Sequence, residues 1–115
     1  MSELAFDVVV IGGGGSGLAA AIEAQAHGAS VVLLEKNDDL GGSTAWSIGS
    51  ITSSMTPHQR RAGIDDNPED HWADMPGFAG DLAERDNHEL RRILCQDIPE
   101  TFQWLLDSGV RFMGP

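Results

Sequence analysis

The chain has 115 residues, and its 18 acidic side chains against 7 basic ones leave a net charge of −11. A surface of that sign repels a polyphosphate backbone and an anionic bilayer, so neither nucleic acid nor a membrane face is an expected partner. No apolar run approaches the roughly 20 residues that span a bilayer. The first seven residues carry no basic cluster of the secretory kind. The single cysteine, Cys95, excludes an internal disulfide framework and fits a reducing, cytoplasmic compartment.

Asp7 to Ile11 is a β-branched apolar run that ends at a glycine, as a buried parallel strand does. Gly12 to Gly17 is a tight glycine loop. From about Gly14 to His27 the chain is rich in alanine, with Leu18, Ala21, Ile22 and Ala26 at helical spacing and Gly28 as the stop. Val31 to Glu35 is a second apolar strand. The spacing predicts a β-α-β unit over about residues 6–36, right-handed and parallel. Between Leu40 and Ser53 lies a second glycine-rich stretch, with hydroxyls at Ser43, Thr44, Ser47, Ser50, Thr52 and Ser53. Pro57 to Asn67 reads as polar linker. Asn67-Pro68 caps a short helix to Met75, and Met75 to Asp81 reads as loop. Asn87 caps a helix with Leu90, Ile93, Leu94 and Ile98 on one face, and Pro99 opens another that Gly109 ends. The segment 68–109 is thus expected to be helical.

Gly12-Gly13-Gly14-Gly15-Ser16-Gly17 satisfies G-x-G-x-x-G directly after a strand and at the start of a helix. Glu35 stands 23 residues beyond Gly12, at the end of the second strand. This is the context of a dinucleotide fingerprint. Gly12 permits the turn, Gly14 lets pyrophosphate approach the backbone, and Gly17 lets the helix pack closely on the strands. The helix start offers unpaired N–H groups and a positive dipole end to phosphate. Glu35 suits a ribose hydroxyl and repels a 2′-phosphate. An NAD-dependent dehydrogenase fits these features. The glycine–hydroxyl stretch that follows suits a second phosphate-facing loop, and so a longer dinucleotide such as FAD. An inactive nucleotide-binding fragment is the reading from a different class.

The segments VVVIGGGGSGLAAAIEA, LLEKNDDLGGSTAWSIGS and DIPETFQWLLDSGVRFMGP resemble the N-terminal part of the fumarate reductase/succinate dehydrogenase flavoprotein superfamily. The likeness is to its soluble branch of flavocytochrome-type fumarate reductases, urocanate reductase and 3-ketosteroid Δ1-dehydrogenases. It implies an α/β, Rossmann-like FAD-binding unit with helical additions, residues 1–115 forming an incomplete, N-terminal part of the domain. It implies FAD contacts from Gly12, Gly14, Ser16, Gly17, Glu35, Lys36, Gly42, Ser43, Thr44, Ser47 and Gly49. The string GGSTA-x-S is nearer the ketosteroid branch, whereas the flavocytochrome branch commonly has Asn at the place of Ser43 and a glycine pair at that of Gly49-Ser50. Membrane-bound relatives attach flavin to a histidine near the place of Thr44 or Ala45; none stands between His27 and His58, so the cofactor is expected to be noncovalent. The implied chemistry is hydride exchange between flavin N5 and an activated C–C bond of a small molecule. The family's catalytic residues are expected after residue 115, so none is named in this chain and the piece alone is expected to be inactive.

Other chemistry-bearing residues have plainer readings. His58, His71 and His88 match no metal-ligand spacing and read as solvated. Cys95 reads as a buried structural thiol, Arg60-Arg61 as solvated linker, and Phe102, Trp72 and Trp104 as core anchors. Phe112 and Met113 read as strand-end core.

Overall fold

The computed structural model describes residues 4–115, which form two compact units, residues up to Ser50 and residues from Ile51 onward. In the first unit, strand β1 (Val8–Ile11), helix α1 (Gly15–Ala26), strand β2 (Val31–Leu34) and the one-turn helix α2 (Gly42–Ala45) follow in order. The strands pair in parallel, with Val8 opposite Val31 and Ile11 opposite Leu34. This is the β-α-β unit that the glycine spacing and the two apolar runs predict. Helix α1 ends as expected: Gly28 adopts φ +85°, its N–H bonds to Gln25 O, and the Ala29 N–H reaches Ala24 O. The paired bonds form a Schellman cap that only a left-handed residue completes without strain.

At the opposite edge, Asp7 and Ser30 clasp the starts of both strands. Asp7 Oδ2 accepts from Ser30 N at 2.8 Å and from Ser30 Oγ at 2.6 Å, and the Asp7 N–H donates to Ser30 Oγ at 3.0 Å. These bonds, the Ser30 hydroxyl first, hold the Asp7 carboxyl below its ordinary value. The apolar run predicts a buried strand, but β1 is not buried on both faces. Val8 and Val10 are half-buried while Val9 and Ile11 are exposed. An ideal Cβ on Gly17 of α1 lies 3.4 Å from Val10 Cγ1, so α1 covers the Val10 face. Among the described residues of this unit, the other face remains exposed at Val9 and Ile11.

The second unit is helical: α3 (Pro57–Arg61), α4 (Pro68–Asp74), α5 (Pro76–Ala79), a 3-10 turn over Gly80–Arg85, and α6 (His88–Asp107). The expected caps form. Asn67 Oδ1 accepts from Asp70 N, and Asn87 Oδ1 accepts from Glu89 N and Leu90 N. Four expectations fail. The linker at Pro57 begins with a helix, because Thr56 and Gln59 complete a reciprocal capping box. The loop after Met75 is α5 and the 3-10 turn. Residues 110–115 contain no strand, and Met113 is fully exposed.

The fourth concerns Pro99, which does not start a helix but lies inside α6. A proline there removes one i→i−4 bond and costs roughly 3 kcal/mol. Continuity places Cys95 and Phe102 seven residues apart on one stripe, and these are the buried apolar side chains of the unit, at 1% and 5% exposure. Each such burial contributes roughly 1.5–3 kcal/mol, enough together to offset the proline. The inward stripe therefore runs through Arg91, Cys95, Ile98 and Phe102, whereas Leu90, Ile93 and Leu94 are exposed. Leu90 and Leu94 instead line a groove of about 770 Å³ with Met75, Phe78 and Leu82.

Phe102 stacks on Phe112 at 4.5 Å, and His58 meets both rings edge-on. His71 is buried and both its ring nitrogens lack a partner among the described residues. These two histidines are packing residues, not solvated ones; His88 remains exposed, against Trp72. The Arg91 guanidinium lies 3.9 Å over the Trp72 ring and 2.8 Å from Asp86. Burial raises the Cys95 thiol pKa, the state of a structural thiol.

Two outcomes are expected in the intact protein. Phe102→Ala removes the ring that Phe112 and His58 pack on, and denaturant melts should record a loss of about 3–5 kcal/mol. Asp7 binds its proton more weakly folded than unfolded, so the clasp stabilises fully above the ordinary carboxylate range and is lost as pH falls through the lowered folded value. The melting temperature of Asp7→Asn should therefore lie below wild type at neutral pH, and the two should converge on acidification.

Candidate nucleotide-binding site

The carboxyl ends of β1 and β2 and the start of α1 converge at the glycine loop. Gly12 leaves β1 with φ +101°, a backbone state that side-chain-bearing residues rarely adopt, and its N–H bonds to Leu34 O at 2.8 Å. A Cβ on Gly17 would stand 1.9 Å from Gly12 O. The obstacle is backbone on both sides, so no side-chain adjustment relieves it. Gly17 thus has the role the motif assigns it, close apposition of helix and strand.

Gly14 is different. Its φ of −75° suits any residue, and a Cβ there would meet nothing nearer than Gly41 O at 3.8 Å. No contact within this unit requires a glycine at 14. A group approaching the backbone from outside would require one. Beyond it, α1 begins with Gly15, Ser16 and Gly17. The Gly15 N–H donates to Thr44 Oγ1 at 3.2 Å. The first intrahelical bond is Leu18 N to Gly14 O, and the Ser16 and Gly17 N–H groups have no acceptor among the described residues. Two free donors at the positive end of a three-turn helix suit a phosphate oxygen, so the residues present fit a pyrophosphate.

Glu35 follows β2 and is half-buried. Its Oε2 accepts from Gly13 N at 2.7 Å, and its Oε1 accepts from both Asn37 N and Asn37 Nδ2 at 2.9 Å. The Gly13 N–H foremost, then the Asn37 amide, holds this carboxyl below its ordinary value. It is ionised at neutral pH and braces the glycine loop from within. Sequence reasoning assigns Glu35 to ribose and misses this bond, because G-x-G-x-x-G treats residue 13 as free. Yet Gly13 is the buried member of the loop, with Leu40 Cδ2 2.5 Å from where its Cβ would be. Three of the five glycines in the run, Gly12, Gly14 and Gly17, carry the motif; Gly13 is one of the two beyond it, and that surplus is the available signal.

The second glycine stretch is tied to the first. Gly41 N donates to Gly13 O at 2.7 Å, and Gly14 and Gly41 form a parallel bridge. Gly41 has φ +122°, and a Cβ would fall 2.6 Å from that of Ala45. A Cβ on Gly42 would lie 3.3 Å from Gly14 Cα. The structure thus brings Gly12, Gly14, Ser16, Gly17, Gly42 and Thr44 to one place. Ser43 follows Gly42 and is exposed. Ser47 is occupied locally: its hydroxyl donates to Thr44 O at 2.8 Å and accepts from Gly49 N at 3.2 Å. Lys36 is exposed on the rim of a hollow of about 690 Å³ that Leu40, Ala45 and Trp46 help to line. The expected contact stretch 40–53 also crosses the boundary between the units, since residues 51–53 belong to the second.

Comparison with known proteins agrees with this geometry. Residues 7–114 match the FAD binding domain family. The chain is 36% identical to the NADH:fumarate oxidoreductase of Klebsiella pneumoniae, over 91% of this chain and 11% of that protein. It is 43% identical to the fumarate reductase (cytochrome) of Shewanella frigidimarina, over 90% of this chain and 18% of that protein. The crystal structure of a 3-ketosteroid-delta4-(5alpha)-dehydrogenase from Rhodococcus jostii, in complex with 4-androstene-3,17-dione, superposes with a TM-score of 0.79 at 37% identity. That match covers 93% of this chain and 22% of the other. The chain therefore spans roughly a tenth to a fifth of its relatives' length. With its glycine cradle, helix start and matched length, the chain belongs to the FAD binding domain family of fumarate reductase-like and 3-ketosteroid dehydrogenase-like flavoproteins.

Proposed function

We propose that residues 1–115 are the N-terminal part of a Rossmann-like FAD-binding domain, in a cytoplasmic oxidoreductase that reduces or dehydrogenates an activated C–C bond of a small molecule. The observation that carries this reading is the cradle at Gly14, where a Cβ has room and the chain itself has no need of a glycine. Beside it stand the free N–H groups of Ser16 and Gly17. Bound FAD would supply hydride transfer at N5. This chain's residues bind and orient it. The α1 start and the Gly41–Gly42 turn bracket the pyrophosphate. Glu35, its inner oxygen held by Gly13, offers its outer oxygen to ribose in exchange for Asn37, with Lys36 alongside. Ser43, Ser47 and Gly49 continue the surface toward the flavin. The absence of histidine between His27 and His58 supports noncovalent attachment.

The relatives divide over substrate between fumarate, urocanate and steroids. The site residues of this reading meet the cofactor and not the substrate, so the proposal extends to a carbonyl- or carboxyl-activated C–C bond and no further.

Gly14→Val tests the cradle cleanly, because its backbone angles and Cβ space accept a side chain. FAD affinity of the intact protein, titrated by flavin fluorescence, should fall at least about tenfold while the melting temperature of the cofactor-free form holds. Unchanged affinity would refute the pyrophosphate assignment. Paired assays of the intact enzyme test the chemistry: fumarate or urocanate with a reduced dye, and a 3-ketosteroid with an oxidising dye. Turnover is expected in one arm. A colourless protein that binds NADH would overturn the flavin reading.

A further inference from the structure

We infer that Thr44 is a positioning residue that locks the two glycine loops together, rather than a group whose first duty is to the cofactor. This rests on the FAD reading of the site but on a bond wholly within the protein. Backbone contacts join the loops at Gly13, Gly14 and Gly41. The side-chain hydrogen bond that joins them is the one from Gly15 N to Thr44 Oγ1. It connects residues 29 apart in sequence and fixes α2 against the first turn of α1.

Steric fit confirms how closely the two residues meet. A Cβ on Gly15 would lie 2.8 Å from Thr44 Oγ1 and 3.2 Å from its Cγ2. Gly15 is thereby the seat of the threonine side chain. Of the three N–H groups that open α1, Thr44 takes the first, and those of Ser16 and Gly17 have no acceptor among the described residues. That division sets which donors face a phosphate. Because Oγ1 accepts from Gly15, the hydroxyl hydrogen remains its one donor toward anything in the cradle. The branched methyl fills the space over Gly15, and the hydroxyl holds the distance. Ser43 and Ser47 do neither, the one being exposed and the other turned to Thr44 O and Gly49 N.

The test separates this role from a direct cofactor contact by measuring the cofactor-free protein. Amide hydrogen exchange of the intact apoprotein should show Gly15 protected relative to Ser16 and Gly17. Thr44→Val keeps the shape and removes the hydroxyl; Thr44→Ser keeps the hydroxyl. In Thr44→Val the Gly15 amide should exchange about fivefold faster, the loss of one modest hydrogen bond, and Thr44→Ser should restore protection. FAD affinity should follow the same order. A second pair guards against misfolding: Gly15→Ala should weaken FAD binding through the clash, and Gly15→Ala with Thr44→Gly should regain part of it. Gly15 exchange that is equal in wild type and Thr44→Val would overturn the inference, even with FAD affinity reduced. Failure of the wild-type protein to bind FAD would instead refute the functional reading, with the exchange result still deciding the lock.

Discussion

The site depends on one close approach. Gly17 of α1 lies so near Gly12 O that no side-chain carbon fits between them. That contact draws the helix start, with its first N–H groups, onto the end of β1. Every other feature of the cradle is referred to that position. Gly12 must turn with positive φ to reach it, and the helix can lie on the Val10 face only at this depth. A larger residue at 17 would lift the helix and retract the donors with it. The requirement is backbone against backbone, which is why it cannot be relaxed by repacking.

The loop so placed is held by groups that the motif does not contain. Glu35 braces it at Gly13, and Gly41 and Thr44 secure its outer side. The Gly13 N–H and carbonyl and the Gly15 N–H are thus satisfied inside the protein, while the Ser16 and Gly17 N–H groups have no acceptor among the described residues. An anion-binding loop needs this asymmetry. Donors free in every direction would be filled by water, whereas two free donors on a rigid helix start remain pre-oriented. The carboxylate that braces the loop also places a negative charge at the end of β2.

The second unit carries a different lesson about what local sequence can show. Asn67 and Asn87 were readable as caps because the capping oxygen and the amide it accepts lie within three residues. Pro99 misleads for the same reason. Its local preference is to open a helix, but burial of Cys95 and Phe102 on one stripe outweighs the lost bond. The inward face rotates accordingly, away from Leu90 and Leu94 and toward Arg91, whose guanidinium is paired with Asp86 and stacked on Trp72. The burial of His71 carries no local signal at all: a polar residue on a short helix reads as solvated until the packing around it is known.

By itself, the amino-acid sequence determined the β-α-β unit, the stop at Gly28, the glycine loop before α1 and the acid at the end of β2. Each follows from interactions within a few residues or from the spacing that a crossover demands. Tertiary structure alone decided that Glu35 holds Gly13, that Thr44 seats on Gly15, and that α6 runs through Pro99. These depend on which distant residues the folded chain sets side by side. A hydroxyl or carboxylate has several possible partners of similar strength, and only the geometry of the assembled backbone selects among them.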